Sequence, residues 1–288
     1  MPGTTARKSR TPLAETFRRL RRTPSFVAGA TLMTVLVALV LLAPVLTKYN
    51  PVKVSPRDRL QPPSAEHVFG TDQYGRDVLA RVLHGGGLSL PMGVIPVALS
   101  AIAGTLLGLL AGYSRGWLDV FIMRIVDVWV AFPAILLAMA VVTILGTGLT
   151  NIMIALGIAW VPYYARMVRG SVLEARERVY VDATRALGSR SRRIVLRHIL
   201  PNILTPVMVM SSMGVANAIL AGAALNFLGL GAQAPAPEWG AILADGRQFI
   251  RQAWWLGVFP GTAIALTVLA ANLLGDGLRD ALDPKLKV

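Results

Sequence analysis

The sequence predicts an all-α transmembrane protein of six spans. Three observations carry that prediction. Of 288 residues, 54% are hydrophobic and 15% charged, above the apolar share and below the charged share of an average soluble domain. Six stretches reach the length of about 20 mostly apolar residues that a helix needs to cross a hydrocarbon core, where only a helix or a closed barrel satisfies its own backbone. The 29 Lys and Arg also fall mainly on alternate loops, the bias that orients helices during insertion.

The chain opens on a basic arm, residues 1–24, with seven Lys and Arg between Arg7 and Arg22. The apolar run behind it is too long for a signal-peptide core and has no clear small-residue cleavage site, so it is expected to be a retained anchor. That first span is Ser25–Leu46, with Thr23 as N-cap and Pro24 as the first helical residue. Residues 25–87 comprise this span and a long outer loop rich in proline (Pro51, Pro56, Pro62, Pro63). Leu88–Gly112 follows, with Gly104, Gly108 and Gly112 spaced four apart, a pattern that lets another helix approach closely.

The third span is expected over Val120–Leu145. Arg124 and Asp127 lie three apart in it and can pair on one face. An ionisable pair in a span is a candidate functional site, but this depth also lets side chains reach water; a structural or gate-adjacent pair is favoured over a substrate site. Asn151–Val168, Leu204–Leu225 and Leu256–Leu274 complete the set. Between them lie a basic loop at about residues 170–203 and a second outer loop at about 226–255, and residues 277–288 form a tail.

The stretches "RDVLARVL" and "WGAILADG" suggest short amphipathic helices at the membrane surface, punctuated by glycine and proline turns. Trp239, Trp254 and Trp255 are either interfacial anchors or contacts for a partner on that side. Asn151, Asn217, Asn226 and Asn272 are polar groups available for hydrogen bonds between helices.

Twenty-one of the Lys and Arg lie on the side of the two termini and the 170–203 loop, and eight on the other. This places both termini in the cytoplasm. The formal net charge of +14 follows from the same bias and names no partner by itself. There is no cysteine, which excludes disulfides, thiolate metal sites and cysteine nucleophiles.

The basic loop contains "DATRALGSRSRRIVLRHILP", Asp182–Pro201. Val179, Ala183, Ala186 and Leu187 recur at helical spacing. Gly188 stands where a helix-ending glycine belongs, free to adopt positive φ. A second helix can restart with Ser189 or Ser191 as N-cap and carry Ile194, His198 and Pro201 along one side. Three readings of this unit are open: a small apolar ridge rimmed with charge that docks into another protein, a loop that obeys insertion bias or binds anionic lipid heads, and a nucleic-acid contact. The glycine turn and ridge favour docking, and tethering at both ends argues against nucleic acid.

The spacing Asp182-Ala183-Thr184, then Gly188, then His198-Ile199-Leu200-Pro201, resembles the EAA loop of permease subunits in bacterial ABC importers. Asp182 stands for the usual Glu, Thr184 for the second Ala and His198 for an Ile. "FGTDQYGRDVLARVLHGG", "FLGLGAQAPAPEWGAILADG" and "NLLGDGLRDALDPKL" are similar to signature stretches of the C-type permease in dipeptide, oligopeptide and nickel importers. The resemblance implies a type I importer-like permease with its core over residues 88–276. It also implies a coupling helix formed by the loop and carrying Asp182, Ala183, Thr184, Gly188, His198, Leu200 and Pro201. The implied partners are a second homologous permease, two ABC ATPases and an extracytoplasmic solute-binding protein, in the bacterial cytoplasmic membrane.

No phosphate loop of the form G-x-x-x-x-G-K-[ST] occurs, and no H-E-x-x-H, G-x-S-x-G or paired-carboxylate site stands out. The chain is therefore expected to have no catalytic residue, no metal site and no cofactor, with ATP and Mg bound by the ATPases. Peptides lead as cargo and nickel is the rival within the family. A secondary transporter working without ATP is the rival outside it.

Overall fold

A computed structural model describes residues 20–114 and 116–282. Most of the basic arm, Arg115 and the last six residues of the expected tail lie outside the described residues. Among the described residues the regular structure is helical, apart from one isolated antiparallel bridge between Thr71 and Asp77.

Helix α1 (Pro24–Leu41) starts at N-cap Thr23 with Pro24 in its first turn. It is shorter than the expected span: the chain kinks at Leu42 and adds one turn, Ala43–Leu46. Pro44 explains the kink, because it offers no N–H and its ring crowds the preceding turn. Helix α2 (Val78–Tyr113) runs for 36 residues, so the segment expected as a separate surface helix is the first part of the span itself. The glycines read as a break are contact points instead. A Cβ on Gly85 would strike the Pro237 carbonyl oxygen, and one on Gly86 would strike the Val40 side chain.

The third expected span is two helices, α3 (Trp117–Val130) and α4 (Ala134–Leu145), bent by 89°. Pro133 removes a backbone donor and disfavours the α conformation at the residue before it, so the helix stops there. Helix α5 (Leu149–Arg176) contains the fourth expected span. It leads to α6 (Val179–Ala186) and, beyond Gly188, to α7 (Ser191–Ile194), a π turn over Val195–Ile199 and α8 (Leu200–Phe227). Helix α9 (Trp239–Gly246) lies in the second long loop, and α10 (Trp255–Leu282) closes the described chain, continuing as helix into the expected tail.

Four of these units are long and apolar enough to cross a membrane: α1, α2, the run Ser191–Phe227 and α10; the bent α3–α4 pair makes a fifth. Helix α5 is less apolar overall, but the residues it buries against α2, α4 and α8 are mostly apolar, while Thr150, Arg166 and Glu174 are exposed.

The α2–α5 contact is the most extensive in the molecule. A Cβ on Gly104 would come within 2.7 Å of the Val161 carbonyl oxygen, one on Gly108 within 2.6 Å of that of Ala165, and one on Gly112 within 2.8 Å of the Val172 Cβ. Arg176, at the end of α5, donates from its guanidinium to the carbonyls of Gly112 (2.9 Å) and Tyr113 (3.2 Å). The last turn of α2 leaves such carbonyls without helical partners, and a cation there also complements the helix dipole.

At the opposite, loop-rich end, a buried polar frame ties the two long loops together. Asp72 accepts from the backbone N–H of Tyr74 (2.8 Å) and Arg76 (3.0 Å) and from Arg76 Nε (2.6 Å). Arg81, 1% exposed, lies 3.5 Å from the same carboxylate and donates to the carbonyls of Pro51 and Pro235. Asp77 caps α2 by accepting from Ala80 N–H (2.7 Å) and meets His67 at 2.9 Å. Glu238 caps α9 through Ala241 N–H and accepts from Ser89 Oγ; burial pushes its carboxyl above the usual carboxylate range.

Two of the three tryptophans expected at a surface are part of this frame. Trp239 Nε1 donates to the Val82 carbonyl (2.8 Å) and Trp255 Nε1 to that of Thr71 (3.0 Å), and both are buried; only Trp254 is exposed.

Asp72→Ala leaves two buried guanidiniums without their shared carboxylate, and breaking a buried pair costs about 3–5 kcal/mol. The expected outcome is a lower thermal midpoint of the detergent-solubilised protein and faster proteolysis in residues 48–77.

Candidate functional site

The candidate site is the helix–turn–helix at the basic end. Arg178 links the two helices: extended (φ −77°, ψ 139°), it occupies the N-cap position of α6 without a side-chain cap bond and pairs with Glu174 one turn back in α5. Asp182 lies in the first turn of α6, where a negative charge suits the helix dipole. It is exposed and accepts from Arg185 at 2.9 Å, a surface pair of the kind that contributes about 0.2–1 kcal/mol. Thr184 turns its hydroxyl back on α6 and donates to the Tyr180 carbonyl at 2.7 Å.

Leu187 caps α6 and Gly188 follows with φ +78°. Gly188 N–H donates to the Arg185 carbonyl (3.0 Å) and Ser189 N–H to that of Thr184 (3.3 Å). These are the two bonds of a Schellman ending, which satisfies the last carbonyls of a helix and requires a left-handed residue. Nothing lies within 4 Å of where a Cβ on Gly188 would sit. Its requirement is therefore conformational and not one of space. The second helix starts at Ser191 with Arg190 in the N-cap position, and no side chain caps it; neither serine serves as the cap expected from the sequence.

One face of the unit is anchored and the other is open. Val181 is fully buried, and with Ile194, Ile199 and Ile203 it joins a cluster that includes Val172 and Val168 of α5 and Val97 of α2. Val179 and Leu187, 84% and 86% exposed, stand on the outer surface with Ala183 and Ala186. This is an apolar ridge fixed from below.

The buried side of the second helix is Ile194, Ile199, Ile203 and Val207, and not the expected Ile194, His198 and Pro201. The π turn inserts one residue between Ile194 and Ile199, which shifts the inward stripe by one position. It stands one turn ahead of Pro201, whose ring and missing N–H would disrupt a regular α turn there. His198 and Leu200 are half-buried and Pro201 is exposed. A cleft of about 940 Å³ opens beside the unit between Glu174, Arg178, Tyr180, Asn202, Pro206 and Leu282.

Asp127 does not pair with Arg124. It accepts from Arg166 of α5 at 2.8 Å, with both side chains about half exposed, and Arg124 is exposed. One turn further along α5, Arg169 makes a two-pronged contact with Asp119, at 2.6 and 2.7 Å. Residues 39 and 50 positions apart thus supply these partners, which spacing within one helix cannot reveal. Gly104, Gly108 and Gly112 form the α2 side of the central interface, away from this surface. Of the asparagines, Asn151 donates to the carbonyls of Leu145 and Gly146 at the end of α4, Asn226 bridges Gly222 and Ala232, Asn217 lines a cavity between α5 and α8, and Asn272 is exposed. Among the described residues there is no cluster of three or more His, Cys, Asp or Glu that could hold a metal ion.

The described residues form a helical core whose longest helices are apolar enough to cross a membrane, with an exposed apolar ridge anchored to that core at its basic end. Residues 104–288 match the family model described as binding-protein-dependent transport system inner membrane component, and residues 11–63 match the N-terminal TM domain of oligopeptide transport permease C. The chain belongs to this family of transport-system inner membrane components.

Among its relatives, the dipeptide transport system permease protein of Alkalihalophilus pseudofirmus is 49% identical over 96% of this chain and 91% of its own length. The glutathione transport system permease protein of Pectobacterium atrosepticum is 46% identical over 96% and 93%. The fold is similar to that of a chain from the inward-facing MetNI methionine ABC transporter, with TM-score 0.57 and 22% identity over 70% of this chain and 97% of that one.

A β-branched residue at Gly188 would have to take a left-handed conformation, which costs roughly 1–2 kcal/mol. Gly188→Val is expected to fray the end of α6 while the spans insert normally, read as new protease sensitivity between residues 185 and 193 in membrane vesicles. Val181→Ala removes about two buried methylene equivalents, or about 2 kcal/mol. It should loosen the same unit from its buried side, read as faster hydrogen exchange in α6 and unchanged exchange in α2.

Proposed function

We propose that this chain is one permease subunit of an ATP-driven importer that carries peptides, and that the ridge of α6 is the surface through which ATPase partners drive it. The observation that carries this reading is the ridge itself: exposed Val179, Ala183, Ala186 and Leu187, with Val181 and Ile194 beneath them packed into the cluster that reaches α5 and α2. An apolar ridge with a charged rim suits a groove on a partner. A push on it is passed to the spans because a close-packed core moves as a body and does not deform continuously.

In this reading the basic end and both termini are cytoplasmic, as the distribution of Lys and Arg favours. ATP and Mg are bound by two ATPase subunits, and this chain supplies no catalytic group or cofactor. A second homologous permease completes the path, and a solute-binding protein delivers cargo to the loop-rich end. Relatives named for dipeptide and glutathione transport support peptides over nickel as cargo.

The test is affinity purification of the tagged chain from its native membrane in mild detergent, followed by reconstitution of what accompanies it with the binding protein. A second permease and two ATPases should copurify, and the vesicles should accumulate labelled dipeptide only with ATP. Accumulation that survives loss of the ATPases and collapses with an uncoupler would establish a secondary transporter instead. Uptake of nickel in place of peptide would move the chain to the metal branch of the family.

A further inference from the structure

Two arginines at the loop-rich end are held by rings and not by carboxylates. Arg59, from the first long loop, lies over Phe249 with its guanidinium carbon 5.9 Å from the ring centroid, and Arg247 lies over Phe227 at 5.7 Å. Both arginines are exposed. Among the described residues neither has a carboxylate within ion-pair distance. Both line one cavity of about 610 Å³, formed where the two long loops meet the end of α8. The carboxylate in that wall, Asp245, faces Arg76 at 3.5 Å. The charge of Asp245 is thus answered locally, and the cavity keeps the uncompensated charge of Arg59 and Arg247.

A guanidinium lying on an aromatic face is held by the ring quadrupole and spends no N–H donor on it. Its planar edge stays available for the two parallel hydrogen bonds that a carboxylate accepts. Two such groups on the walls of one cavity, with apolar rings behind them, suit a small carboxylate-bearing ligand. The cavity volume falls within the roughly 300–1,000 Å³ usual for small-molecule sites.

We propose that this cavity receives the terminal carboxylate of the cargo peptide, with Arg59 and Arg247 as its ligands. The proposal rests on the peptide-importer reading above. A terminal carboxylate is common to unmodified peptides whatever their side chains, so a site that binds it combines firm capture with broad sequence tolerance. The rings of Phe227 and Phe249 offer apolar surface to the adjoining side chain.

The experiment uses the complete complex in proteoliposomes: both permeases, the ATPases and the binding protein loaded with labelled dipeptide. Uptake per complex is compared among wild type, R59Q/R247Q and R59K/R247K, with capture of the loaded binding protein measured in parallel. The glutamine pair should lower uptake about fivefold at subsaturating cargo, the scale of losing solvent-exposed charge pairs, with capture retained. The lysine pair, which keeps the charge but not the fork, should recover part of the loss.

Equal uptake by wild type and the glutamine pair overturns the proposal and leaves the importer reading intact. A parallel loss of capture also overturns it, by making the arginines a docking surface for the binding protein. So does a lower yield of assembled complex in both variants, which would make the arginines structural. A wild-type complex that moves no peptide overturns the peptide reading, and this proposal falls with it.

Discussion

The close approach of α2 and α5 governs where everything else in the molecule can go. In a bilayer, apolar burial does little to bring helices together, since lipid tails are as apolar as leucine; contact between closely fitted surfaces does it instead. Gly104, Gly108 and Gly112 remove the side chains that would hold the two backbones apart. Helix α5 is thereby drawn into the middle of the bundle, where its second half can carry Arg166, Arg169 and Arg176. Each of these finds a partner on α2 or α3. Because α6 follows two residues after α5, the ridge at the basic end inherits its position from this one interface.

The two ends of the bundle are stiffened in different ways. At the basic end the means are apolar: Val181, Ile194 and Ile199 extend the membrane core outward, so that the surface unit and the spans share one packed cluster. At the loop-rich end the means are polar. Asp72, Arg76 and Arg81 are withdrawn from water, and the cost is offset because both oxygens of Asp72 accept hydrogen bonds and the two guanidiniums share its charge, although Arg81 Nε is left without a hydrogen bond. The indole N–H groups of Trp239 and Trp255 then fasten the long loops to one another across more than 150 residues of sequence. The long loops are thereby held in a defined shape.

These arrangements suit a subunit that transmits motion. A ridge on a flexible loop would absorb a push, whereas a ridge whose underside is part of the core hands it to α5 and α8. The Arg166–Asp127 pair between α3 and α5 is about half exposed, so it can exchange partners without the penalty of a buried charge, whereas Arg169–Asp119 is more enclosed, at 32% and 17% exposure. The family assignment comes from similarity along nearly the whole chain, and the ridge of α6 is the surface through which we propose that such a subunit is driven.

What the amino-acid sequence determined by itself were the features that depend on neighbours in the chain. Helical spans follow from local apolarity, the start of α1 from Thr23 and Pro24, and the end of α6 from Gly188, because capping and positive φ are settled within a few residues. The exposed ridge of α6 was legible for the same reason. Its anchors were not: which apolar residues face inward depends on the π turn ahead of Pro201, and that turn shifts the stripe from His198 to Ile199.

Tertiary structure decided the rest. Gly85 and Gly86 read as chain breakers until the Pro237 carbonyl and Val40 are seen to lie against them, and Asp127 reads as a partner of Arg124 until α5 brings Arg166 beside it. A span can be recognised from its own composition, but the partner of a charge or the purpose of a glycine is set by residues far away in sequence, and only packing brings those together.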